Sequence, residues 1–195
     1  MTLTIFAGTF NPIHTAHLII AQTVKEELEL GKVLFIPAYC PPHRETGDID
    51  PVHRLNMVQL AIQDNPDYSL SDIEYRKNQR SYSLLTVKAL LEENPHIKSK
   101  VNFIIGADAF KLIDSWYQAE KLAKLVKFIV VSRPDTEDSF IKFIKLKNID
   151  YINVKTPLLD ISSSYIRKKI KVGKSIKYLV PKEVEEYIVQ HDLYR

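Results

Sequence analysis

The sequence predicts an α/β fold, a Rossmann-like, doubly wound and mostly parallel sheet with helices on both faces. Three observations carry this. Short apolar, β-branched runs recur at strand length, as at residues 33–36, 101–105 and 127–132. Segments with helical apolar spacing stand between them. The longest apolar runs, such as residues 128–131, are strand-sized rather than membrane-spanning. Strands alternating with helices imply right-handed crossovers, and ligands of such sheets bind at the carboxyl ends of the strands.

Residues 3–7 read as the first strand, and Gly8 lets the backbone turn or approach a ligand closely. A helix is predicted from about His14. Leu18, Ile19, Ala21, Val24 and Leu28 mark its apolar spacing, and Gly31 stands where a C-cap glycine belongs. A second strand at 33–36 ends at Pro37, and 39–50 is a polar, proline-containing loop of a length often functional. Asp50-Pro51 reads as an N-cap with proline at the first helical position, followed by Leu55, Met57, Val58, Leu60, Ala61 and Ile62. A third strand is expected over 68–75 and a third helix over 81–91, starting at Ser81 or Ser83. The strand at 101–105 ends in Gly106 much as the first ends in Gly8. Each glycine admits two readings of comparable weight, a close approach to ligand or a plain tight turn. Beyond these, 121–125 ends a helix, 127–132 is a strand, 139–147 a basic amphipathic helix and 151–154 the last strand. Ile161-Ser162-Ser163-Ser164 opens a helix ending near Gly173, with Ser162 or Ser163 as its cap.

The 195 residues suffice for one domain, 1–195, with a sizeable core. An apolar fraction of 45% and a charged fraction of 26% are those of a globular chain. There is neither a candidate membrane span nor a secretory leader, so a cytoplasmic protein without a membrane partner is expected. Cys40 is the only cysteine, which excludes an internal disulfide and a zinc site built mainly on thiolates. The net charge of +3 is concentrated at 142–147 and 167–177. That fits small anionic ligands or a solvated helix face. No basic region is interleaved with stacking aromatics, so nucleic acid is not an expected partner.

The sheet-edge rule gathers 8–17, 37–44, 106–116, Ser132-Arg133 and 162–167 on one side. In the first of these, His14-x-x-His17 admits a metal pair, a phosphate-binding pair or two surface histidines. The remaining histidines, His43, His53, His96 and His191, supply no zinc pattern, so metal ligation is the weakest of the three. A helix N-terminus beside a glycine turn favours an anion, and imidazole N–H donors complement it. Pro41-Pro42-His43-Arg44 offers an arginine for phosphate or a plain loop charge. In Ile161-Ser162-Ser163-Ser164-x-x-Arg167, serine capping and phosphate binding are compatible. Trp116 is either a stacking platform for a flat ring or a core residue, and Asp108 either a ligand acceptor or a helix cap. Neither a P-loop nor a G-x-G-x-x-G fingerprint is present.

Taken together, the motifs resemble the nucleotidyltransferase superfamily with its T/H-x-G-H signature, and within it the bacterial nicotinate-nucleotide adenylyltransferases. They are Gly8-Thr9-Phe10-Asn11-Pro12-Ile13-His14-Thr15-Ala16-His17, Pro41-Pro42-His43-Arg44, Arg54-Leu55-x-Met57, Ser81-Tyr82-Ser83, Ile105-Gly106-Ala107-Asp108 with Trp116, Ser132-Arg133-Pro134 and Ile161-Ser162-Ser163-Ser164-Tyr165-Ile166-Arg167. The chain departs from that pattern at Ala7, Asn11, Ala16, Arg44 and Ser164, where the family has glycine, aspartate, glycine, lysine and threonine.

The resemblance implies transfer of AMP from ATP, with Mg²⁺, to nicotinate mononucleotide. A related enzyme using nicotinamide mononucleotide or phosphopantetheine, or a silent nucleotide-binding regulator, is the alternative. It implies that His14, His17 and Arg167 are catalytic, and that ATP is held by Gly8, Thr9, Phe10, Asn11, Gly106, Asp108, Ser132, Ile161, Ser162 and Ser163 as well. Arg44, Ser83, Trp116 and Arg133 would hold the mononucleotide, and 161–195 would form a C-terminal helical part completing the ATP site. The metal ligands and the oligomeric state are left open.

Overall fold

The computed structural model describes residues 2–42, 49–132, 144–157 and 159–195. Six parallel strands form one sheet in the order β3-β2-β1-β4-β5-β6. They are β1 Thr4–Gly8, β2 Val33–Pro37, β3 Tyr68–Leu70, β4 Val101–Gly106, β5 Val126–Ser132 and β6 Tyr151–Lys155. This is the doubly wound order in which the chain leaves the central strand first to one side and then to the other. The reversal falls between β1 and β4, where the carboxyl ends of the strands leave a crevice.

The central strands are apolar because both faces are covered. On one face Phe6, Phe35, Ile104 and Ile129 pack with Ala21 and Val24 of α1 (Thr15–Glu27), and with Met57, Val58 and Ala61 of α2 (Pro51–Ile62). Ile166 of α7 (Ser163–Lys171) and Val184 and Ile188 of α8 (Lys182–Gln190) join the same cluster. On the other face Ile5, Ile36, Phe103, Ile105 and Phe128 meet α3 (Ile73–Lys77), α4 (Ser83–Glu93), α5 (Ala107–Phe110) and α6 (Ala119–Leu125). Helices on both faces, as expected, leave the sheet's end as the open place. Among the described residues no helix is long and apolar enough to cross a membrane.

Several local expectations are corrected. The first helix does not use Gly31 as its cap. It ends at Leu28, whose N–H reaches the Val24 carbonyl at 3.3 Å, and Glu29, whose N–H reaches the Glu26 carbonyl at 3.2 Å, takes the left-handed turn with φ 48°. The third strand stops at Leu70. Ser71 leaves the sheet and Asp72 begins α3, so the expected strand at 68–75 is half strand and half helix. By contrast α4 does begin at Ser83, one of the two expected starts, with Tyr82 as its N-cap residue. Of the basic helix expected at 139–147, residues 144–147 are not helical and the rest lies outside the described residues. Asp50 does cap α2, its carboxylate accepting from Val52 N–H at 2.9 Å with Pro51 next. Ser162 caps α7 through Tyr165 N–H, and Gly173 follows with φ 67°.

Candidate nucleotide site

The turn from β1 into α1 is shaped by crowding. A Cβ on Gly8 would lie 3.0 Å from the Phe10 ring, so any side chain there would push that ring from its place under the strand by a few tenths of an ångström. Phe10 itself has φ 46°, and its ring is buried against Phe6, Phe35 and His17. Phe10 therefore faces the core through its side chain and has only its backbone to offer at the surface. A cis Asn11–Pro12 bond follows.

His14 is the N-cap of α1 and is 5% exposed, so the surface reading does not hold for it. Its N–H donates to His17 Nδ1 at 3.2 Å, and the two rings stack with centroids 3.7 Å apart. This geometry fixes a tautomer. Because Nδ1 of His17 accepts a hydrogen bond, the ring proton resides on Nε2. Burial pushes the His14 ring down to about 4 from its ordinary 6.5, so it is neutral near pH 7. Its Nδ1 is buried with no hydrogen-bond partner. A neutral His14 ring stacked on His17 at a helix N-terminus suits an anion that needs donors.

The distant end of the chain clasps this turn. Ser163 Oγ donates to the Pro12 carbonyl at 2.9 Å, and Arg167 Nη1 donates to the Asn11 carbonyl at 2.8 Å. Thr15 is tied to the segment after α7 by its N–H to Leu179 O at 2.9 Å and its hydroxyl to Tyr178 O at 3.1 Å. The N-termini of α1 and α7 thus meet at one turn, bringing His14, His17, Ser162, Ser163 and Arg167 together. Ile161 packs part-buried beside them.

Gly106 ends β4 on the same edge. A Cβ there would meet nothing within 4 Å and its φ is ordinary, so neither crowding nor a tight turn in the chain demands glycine. The space in front of the strand end stays open. Asp108 does not cap α5, whose cap is Gly106. Its side chain is 98% exposed at this edge, with Lys111 3.4 Å away. Ser132 is buried and donates to Asn153 Oδ1 at 2.9 Å, so its hydroxyl is turned along the sheet.

Trp116 is half-buried, edge-on to Phe103 at 6.2 Å. Its neighbour Tyr117 lies 4.6 Å from the ring of Tyr82, the cap of α4. Ser83 opens α4 directly after Tyr82. Arg44 and Arg133 lie outside the described residues.

Two residues were not assigned roles from the sequence. Arg54, fully buried on α2, donates to the carbonyls of Thr9 at 3.0 Å and Tyr39 at 2.8 Å, and also to Ala38. It ties the loop after β1 to the loop after β2. A signal was present, since Arg54 shares one face with Met57, Val58 and Ala61, an apolar stripe where a charge needs a reason. Tyr194, whose hydroxyl donates to Asn11 Oδ1 at 2.7 Å, left no such signal.

The fold and this edge define a nucleotide-handling α/β protein of the cytidylyltransferase-like class, whose family model matches residues 5–169. A relative from Syntrophotalea carbinolica, named "Probable nicotinate-nucleotide adenylyltransferase", is 39% identical over 100% of this chain and 98% of its own length. One of the same name from Synechococcus sp. is 40% identical over 98% of this chain and 96% of its own. The chain belongs to the nicotinate-nucleotide adenylyltransferase family. In fold it is similar to the Plasmodium falciparum nicotinic acid mononucleotide adenylyltransferase complexed with NaAD. The TM-score is 0.80 at 23% identity, over 99% of this chain and 97% of that one.

Proposed function

We propose that this protein transfers AMP from ATP to nicotinate mononucleotide, releasing pyrophosphate and nicotinate adenine dinucleotide in NAD synthesis, in the cytoplasm. The observation that carries this reading is the clasped turn, in which α1 and α7 bring His14, His17, Ser163 and Arg167 to one strand end. An oxygen of the mononucleotide phosphate attacks the α-phosphorus, a P–O bond to that oxygen forms, and the bond to the pyrophosphate leaving group breaks. The attacking phosphate is already ionised near pH 7, so no strong general base is needed, and positioning with charge stabilisation carries the rate.

In this reading Nε2–H of His17 donates to the α-phosphoryl oxygens as charge develops, while neutral His14 holds the helix start and its ring against His17. Arg167 adds fixed positive charge, with Ser162 and Ser163 at the N-terminus of α7. Gly8, Thr9, Phe10 and Asn11 contribute the turn. Gly106 leaves room for the nucleoside, Asp108 accepts from its hydroxyls, and Ser132 and Ile161 border it. Trp116 stacks on the pyridine ring, and Ser83 with the first N–H groups of α4 takes the carboxylate. Arg44 and Arg133 supply charge for the mononucleotide's phosphate. Residues 161–195 act as the part that completes the ATP site. Mg²⁺ would enter with the triphosphate as part of the substrate.

Purified protein is incubated with ATP and, separately, nicotinate mononucleotide, its amide or phosphopantetheine, and pyrophosphate release is followed. Release chiefly with nicotinate mononucleotide is expected. Release only with another acceptor, or ATP binding with no release, would replace this reading.

A further inference from the structure

We propose that Tyr194 is a positioning residue for the phosphate site, acting through Asn11 on Arg167; this rests on the reading of the clasped turn as the place of the ATP phosphates. The chain reaches this position by docking α8 on α2, where the Tyr187 hydroxyl meets His53 Nδ1 and Asn56 Nδ2, each at 2.9 Å. It then turns back. Asp192 and Tyr194 both take left-handed conformations, with φ 53° and 67°, which L side chains adopt only where their surroundings require it. Leu193 enters the core, and the Tyr194 hydroxyl is delivered to Asn11 Oδ1 at 2.7 Å.

Asn11, only 5% exposed, is gripped at two points. Its side chain is held by Tyr194 and its carbonyl by Arg167 Nη1 at 2.8 Å. Arg167 Nη2 also reaches Ser164 Oγ at 3.3 Å, so the guanidinium plane is set between α7 and the turn. Wherever the Asn11 carbonyl moves, Arg167 must follow or let go. The direction of the first bond is fixed as well. Burial raises the Tyr194 phenol far above its ordinary range, against the opposing pull of Arg54 and Arg167, so the hydroxyl is protonated and donates. A guanidinium that must meet phosphate oxygens in one geometry gains from having its backbone anchor immobilised.

Tyr194→Phe removes one oxygen and keeps the ring. ATP affinity, measured by equilibrium binding without any acceptor, is expected to weaken about tenfold, the scale of one buried hydrogen bond. The thermal midpoint should move by only a few degrees. In an Asn11→Ala background Tyr194→Phe should add nothing, whereas in Asn11→Asp, which keeps the acceptor, its effect should persist. A purely structural Tyr194 would lower the midpoint in every background and leave the affinity of the folded protein alone. If Asn11→Ala does not fold, Arg167→Lys replaces it, and a loss in the double variant smaller than the product of the single losses is expected. Wild-type ATP affinity in Tyr194→Phe, or full additivity with Asn11→Ala or Arg167→Lys, would overturn the proposal. Because binding is read without acceptor, these outcomes are distinct from a failure of pyrophosphate release, which would overturn the function instead.

Discussion

Arg54 on α2 donates to the carbonyl of Thr9 at 3.0 Å and, from its other terminal nitrogen, to that of Tyr39 at 2.8 Å, so one buried guanidinium spans two loops. Among the described residues no carboxylate forms an ion pair with it; backbone carbonyls alone compensate its charge. Arg54→Met keeps much of the volume and removes every donor. Unfolding in urea should show a loss of roughly 3 kcal/mol or more, since buried acceptors are left without partners. A loss under about 1 kcal/mol would mean the loops hold themselves.

His17→Ala, with folding checked by circular dichroism, should lower kcat at least about a hundredfold, the scale of one lost oxyanion donor. Near-normal turnover would remove His17 from the chemistry.

His14 predicts a pH dependence of stability. Its ring has an ordinary value of 6.5 when unfolded and about 4 when folded. Between these values the unfolded chain binds a proton that the folded one refuses, so stability is full above about pH 6.5 and declines as pH falls toward 4. The loss from this group is on the order of 3 kcal/mol. His14→Asn keeps a good N-cap without the titrating ring, and its stability should fall less than that of the wild type over the same range. Parallel curves would show that the His14 ring is not shielded from water.

Trp116→Ala should mainly raise KM for the mononucleotide and leave kcat close to normal, as expected where stacking contributes equally to ground and transition states. Loss of the edge contact with Phe103 adds a modest stability cost. An unchanged KM would place Trp116 outside the site.

The sheet was legible because its strands are covered on both faces and so appear as unbroken apolar runs, as in β4 and β5. Caps with side-chain chemistry were legible too, Asp50 before Pro51 and Ser162 before α7. Where backbone alone decides, the sequence misled. Glu29 rather than Gly31 turns left-handed after α1, and Ser71 and Asp72 divide the single strand expected over 68–75. The gathering of His14, His17, Ser163 and Arg167 followed from the parallel winding. Arg54 and Tyr194 did not, because their acceptors are loop groups whose nearness no local pattern encodes.

The bonds that clasp the turn after β1 join residues 151, 156 and 183 positions apart. During synthesis β1 and its turn emerge well ahead of these partners, by the same 151 to 183 positions. A nascent chain that has paired β1 with β2 still lacks the arginine and serine hydroxyls on which the turn depends. Closing contacts of such separation are slow and come late. The clasp over the turn is therefore among the last contacts to close, after the sheet that carries it has paired.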